Sequence, residues 1–83
     1  MNKIIRFLKS KNIPYILELN NKILICKIDK YKIEISKVNN RTFEIKKYVN
    51  CVEPCSPVIK GNSDRMISVI TRQCNLCNNY YNC

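Results

Sequence analysis

Five of the six cysteines fall between Cys51 and Cys83, in the order C-x3-C, eighteen residues, C-x2-C, five residues, C. Thiolates this close in sequence are natural metal ligands, and a C-x2-C turn lets two sulfurs converge on one tetrahedral zinc ion. Pairing Cys51 and Cys55 with Cys74 and Cys77 predicts a zinc-ribbon-like knob, with Cys83 a spare or exchangeable ligand. The segment 50–83 is too short to bury a core of its own, so in a site of this kind the metal's binding energy is folding energy. Three disulfides are the alternative in an oxidising setting, and the sequence cannot choose among their connectivities.

What must position this segment is the preceding helix and sheet. Residues 2–11 predict an amphipathic helix, with Ile4, Ile5, Phe7 and Leu8 on one face and Lys3, Arg6, Lys9 and Lys11 on the other. Asn2 is placed to cap it, and Pro14 lies just beyond its end. From Ile13 to Val49 the apolar period becomes two, which predicts a four-stranded antiparallel meander. A two-residue Asn20-Asn21 turn sets Leu17 opposite Leu24 and Tyr15 opposite Cys26. An Asp29-Lys30 turn continues the same face, with Ile28, Cys26 and Leu24 opposite Tyr31, Ile33 and Ile35. At Asn39-Asn40 a two-residue turn would mix the faces, so a three-residue loop or bulge is predicted there, keeping Ile33, Ile35, Phe43 and Ile45 together. By this register Cys26 is a core residue and not a ligand.

In the last third, Pro54 and Pro57 oppose helix, Gly61-Asn62-Ser63-Asp64 predicts a turn, and Met66–Arg72 predicts a strand leading into Cys74-Asn75-Leu76-Cys77. The expected fold is therefore α+β, a short N-terminal helix on a four-stranded meander followed by a Cys-rich, metal-stapled segment. The division falls into residues 1–49 and 50–83. Ile23 and Ile25 point away from the core and need cover, from the cysteine segment or from a partner.

Charge is the second functional signal. Lysine and arginine number 15 against six acids, a net +9, which favours a polyanionic partner. Twelve of the basic residues precede position 50, so attraction belongs to the helix and sheet. Arg6, Lys9, Lys27, Lys30, Lys32, Lys46 and Lys47 are the candidate contacts to RNA, DNA or a nucleic-acid-binding protein complex. Tyr80 and Tyr81, held beside a metal knob, are candidates for stacking on bases. A competing expectation is a viral or mobile-element inhibitor whose basic face occupies a nucleic-acid channel or acidic surface on a host enzyme.

Catalysis has little support in the sequence. The chain has no histidine and one glycine, which removes the usual general base near neutral pH and any glycine-rich phosphate loop. Cys74, Cys77 and Cys83, with Cys51 or Cys55 as a fourth ligand, resemble the C-terminal iron–sulfur motif of the PD-(D/E)xK nucleases linked to CRISPR systems and helicases. Asp29 and the Glu44-Ile45-Lys46 triplet resemble the metal-binding and water-activating elements of the same enzymes. That resemblance implies an iron–sulfur cluster in place of zinc and a metal-dependent nuclease, or its remnant. Only 27 residues separate Lys46 from Cys74, where such nucleases have a long helical stretch. The expectation is a non-catalytic binding protein with a structural metal, no small-molecule substrate and no membrane partner. No stretch reads as a secretory signal or bilayer span, which makes the cytoplasm, of a host if the protein is viral, the default location.

Overall fold

The computed structural model describes residues 1–49, 53–54 and 57–81, with side chains described for 1–49 and 57–75. The elements run α1 (Asn2–Ser10), β1 (Tyr15–Glu18), β2 (Ile23–Ile28), β3 (Tyr31–Lys37), β4 (Phe43–Val49), β5 (Glu53–Pro54), β6 (Ile59–Gly61) and α2 (Ser63–Tyr81). The fold is α+β, with both helices packed against one antiparallel sheet.

Helix α1 buries Ile4 and Leu8 and starts without the expected Asn2 cap, since Met1 is the N-cap residue and no side chain caps the end. Its C-terminus is closed by a Schellman arrangement. Asn12 takes φ 57°, its N–H donates to the Lys9 carbonyl at 3.2 Å, and the Ile13 N–H donates to the Leu8 carbonyl at 3.0 Å. Asparagine tolerates this left-handed position better than most residues that carry a Cβ.

The meander has the predicted register. Tyr15 pairs with Cys26, Leu17 with Leu24, Cys26 with Ile33, and Leu24 with Ile35. The predicted Asn20-Asn21 turn lies within a four-residue connection, Leu19 to Lys22, in which Leu19, Asn20 and Asn21 all take positive φ and the Lys22 N–H donates to the Glu18 and Leu19 carbonyls at 3.1 Å. The third connection is the expected three-residue loop. Lys37 pairs with Phe43, the Val38 N–H donates to the Thr42 carbonyl, and Asn39 Oδ1 accepts from the Arg41 and Thr42 N–H groups at 2.9 Å. Beyond β4 the sheet is widened by two short strands that pair with different stretches of it, β5 with Tyr48 and Val49, β6 with Phe43 to Ile45.

The last third departs from expectation. Met66–Arg72 is not a strand, and Cys74-Asn75-Leu76-Cys77 is not a tight turn; both lie on the 19-residue helix α2. Asn62, expected in a simple turn, caps this helix, its Oδ1 accepting the Arg65 N–H at 2.9 Å. Met66, Ile70 and Gln73 are buried at spacings of four and three, the period of one helical stripe. A zinc ribbon needs a β-hairpin to carry its C-x2-C turn, so the ribbon geometry does not fit the described residues. Met66 and Ile70 join Ile4, Leu8, Leu24, Cys26, Ile33, Ile35, Phe43 and Ile45 in one core between the sheet and the helices. The expected division after Val49 falls at the start of a stretch outside the described residues.

Candidate functional site

Strand parity sorts the side chains onto two faces. On the open face, away from the helices, the register aligns Lys27, Lys32 and Tyr48 in one row, Ile16, Ile25, Glu34 and Lys46 in the next, and Glu18, Ile23, Ser36, Glu44 and Lys60 in the third. Four lysines here meet three glutamates. The surface expected to be a lysine face is thus close to neutral, with Lys46 directly opposite Glu34 and Lys60 directly opposite Glu44. Ile16 is 62% exposed on this face, and Ile23 and Ile25 are half-buried. α2 packs on the other side and does not cover them.

The helix-covered side is different. Lys3, Arg6, Lys9 and Lys11 line the exposed side of α1 and its C-cap, while α2 adds Arg65 and Arg72, and β4 adds Lys47. Among the described side chains of the two helices the one acid is Asp64, which bridges to Lys3 and links α1 to the first turn of α2. That ion pair is exposed on both sides and so contributes little stability. Of the predicted contacts, Arg6 and Lys9 lie on α1, Lys27, Lys32 and Lys46 on the open face, and Lys30 in the β2–β3 turn. They do not form one surface.

Lys47 marks a site that the sequence did not suggest. Its odd position places it opposite Ile33, on the same face as Ile45, and its Nζ donates to Gln73 Oε1 at 3.1 Å. Around it is a pocket of about 260 Å³ between α2, β4 and β6, floored by Ile33, Ile45 and Ile59, walled by Val69 and rimmed by Arg65 and Arg72. Among the described residues that line it none is acidic. Lys47 was expected among the polyanion contacts, and strand parity could have placed it on the inner face, since the register that buries Ile33 turns residue 47 inward too.

The cysteines are not gathered into a site among the described residues. Cys26 is a free thiol with 1% exposure, and burial, aided by nearby Cys74, raises its pKa to about 12. It is neutral at physiological pH and stays a core residue, as its register predicts. Cys74 is half-buried and packed on the edge of the core. Cys77 follows one turn later on α2, where Tyr80 and Tyr81 form the last described positions; the side chains of all three are outside the described set. Cys51, Cys55 and Cys83 lie outside the described residues. Among the described residues no three His, Cys, Asp or Glu side chains come together as a metal site.

The carboxylates of the nuclease resemblance are also spread apart. Asp29 sits in the β2–β3 turn at one end of β3, with φ 57°, whereas Glu44 pairs with Ser36 near the other end. Five residues of strand separate the Tyr31 and Ser36 levels, about 16 Å at the usual rise. That is too far for one metal ion to bridge. No helix among the described residues is long and apolar enough to cross a membrane.

No family model matches the chain, and neither curated proteins nor solved structures give a match.

Proposed function

We propose that this protein is a small non-catalytic module that grips a polyanion, RNA or DNA, through the cationic side of α1. The supporting observation is the charge distribution. Lys3, Arg6 and Lys9 recur every three residues along α1, Lys11 follows, and the helix itself contains no acid. The open sheet face carries its lysines beside glutamates and so attracts phosphate weakly. Contacts of this kind position a backbone without reading sequence.

The test is binding of a short labelled single-stranded RNA and a duplex DNA at several salt concentrations. Log K should fall by about 0.7–0.9 per neutralised phosphate for each unit of log salt. Arg6→Glu combined with Lys9→Glu should weaken binding more than tenfold, and Lys27→Glu combined with Lys46→Glu much less. Salt-independent binding, or equal loss in both double variants, overturns the proposal. If neither polymer binds, the competing role as an inhibitor seated in a nucleic-acid channel takes its place.

The same proposal includes a metal staple, zinc before an iron–sulfur cluster, drawing on Cys74 and Cys77 of α2 and on Cys51, Cys55 and Cys83. It rests on the clustering of five cysteines in sequence and on the one-turn spacing of Cys74 and Cys77. Cys26 is left out of this set because it is packed inside the core of the sheet and helices. Elemental analysis of anaerobically purified protein should find one equivalent of metal. Metal-free protein with its thiols oxidised removes the staple.

A further inference from the structure

The open sheet face differs from the rest of the described surface in its apolar content. Among the described residues the large apolar side chains left exposed are Ile16, Leu19, Val38 and Val58, and none belongs to the described part of either helix. Ile16 stands beside half-buried Ile25, with half-buried Ile23 one row along. The three isoleucines make a continuous apolar area on β1 and β2. We propose that this face docks on the same face of a second copy of the chain, about a two-fold axis that runs across the strands.

Charge selects the occupant. Each chain carries a net +9, so two copies repel one another through most approaches. The open face sets four lysines against three glutamates and is the near-neutral side of a basic molecule. A polyanion or an acidic protein is drawn to the α1 side instead. A second copy can meet this face without that repulsion.

Charge also selects the orientation. Lys27 and Lys32 occupy one end row, Glu18 and Glu44 the opposite end row, and Ile16 and Ile25 the row between them. A two-fold axis along the middle row turns the second sheet end for end. Each lysine row then lies over the glutamate row of the other copy, and Ile16 and Ile25 meet their own counterparts. An axis along the strands would instead set lysines over lysines, which repel. Among the described residues no ion pair ties up Glu18, Glu44, Lys27 or Lys32 within one copy.

The size of the face sets the strength. Five strands at about 4.8 Å spacing and strands about 20 Å long give roughly 500 Å² per copy, or about 1,000 Å² for the pair. Two such sheets pack about 10 Å apart. An interface at the low end of specific sizes gives a weak dimer, with a Kd on the order of 100 μM. In dilute solution the chain is therefore a monomer with this face open.

The experiment is sedimentation equilibrium of the nuclease-treated full chain over a dilution series. A dimer should form at high concentration and dissociate on dilution. Ile16→Asp should weaken it at least tenfold. Lys27→Glu with Lys32→Glu, and separately Glu18→Lys with Glu44→Lys, should each weaken it at least tenfold, yet an equimolar mixture of the two double variants should dimerise, because the reversed rows then face each other. Arg6→Glu with Lys9→Glu should leave the dimer intact, which separates this face from the polyanion surface. A monomer at every concentration, an undiminished dimer in Ile16→Asp, or charge-reversed variants that stay monomeric when mixed overturns the proposal.

Discussion

Lys46 and Lys47 are neighbours in sequence and belong to different environments. Lys46 stands on the open face directly opposite Glu34. Lys47 points the other way, over the Tyr31 ring at 5.3 Å and onto Gln73 of α2, at the edge of the pocket. One step along a strand moves a side chain from a near-neutral, solvated ladder to a cationic cavity. Net charge summed over the chain hides this difference. It is the covering of one face by two helices that gives the same residue type two roles.

The largest expected break of that contrast is in stability. Ile33→Ala, on the covered face and fully buried, should cost about 2–5 kcal/mol through lost burial and a residual cavity. Ile16→Ala, 62% exposed on the open face, should stay within about 0.5 kcal/mol. Urea unfolding of the two variants checks this, and comparable losses would mean that the open face is covered in solution.

The next effect is alkaline destabilisation through Cys26. The folded chain raises this thiol from an ordinary value of 9.0 to about 12, chiefly by burial and secondarily through Cys74. Folded protein therefore holds the proton more tightly than unfolded protein. The stability is fully present below 9.0 and is lost as pH rises through the interval up to about 12. The slope approaches about 1.4 kcal/mol per pH unit. Comparing wild type with Cys26→Ala, the variant should lose less stability between neutral pH and about pH 10. Parallel curves would place the titration elsewhere.

The covered face was legible in part. The meander could be read because its turns are marked by Asn20-Asn21, Asp29 and Asn39, and because only one register at each turn keeps Leu24, Cys26, Ile33, Ile35 and Ile45 on one side. α2 was not legible in the same way. Ile67, Val69, Ile70 and Thr71 are β-branched and alternate well enough with Met66 and Ser68 to suggest a strand. The helical stripe Met66, Ile70, Gln73 contains a glutamine, which weakens the apolar signal. The surer cue was Asn62 followed by Ser63 and Asp64, an N-cap with an acid in the first turn. The pocket was hidden for the same reason, since its wall is α2 and its rim cations are Arg65 and Arg72. On the open face Glu34 and Glu44 were legible beside the lysines, and the register adds Glu18 and sets Lys46 opposite Glu34 and Lys60 opposite Glu44.

The smallest effect sharpens the comparison most directly, because the sheet holds a lysine–tyrosine contact on each side. Lys32 lies 4.8 Å from the centre of the Tyr48 ring on the open face, from a directly opposite position. Lys47 reaches Tyr31 from a diagonal one on the covered side; all four residues are half-buried, and Lys47 also bonds to the buried Gln73 of α2. A cation over a ring is worth about 0.5–1 kcal/mol when exposed and about 2 kcal/mol or more when desolvated. Double-mutant cycles with Lys32→Met and Tyr48→Leu, then with Lys47→Met and Tyr31→Leu, should therefore give a coupling of about 0.5 kcal/mol for the first pair and a larger one for the second. Added salt should reduce the first more than the second, since buried pairs are screened less. Equal couplings with equal salt dependence would show that the helices do not shield Lys47 from water, and the distinction between the two faces would then rest on shape alone.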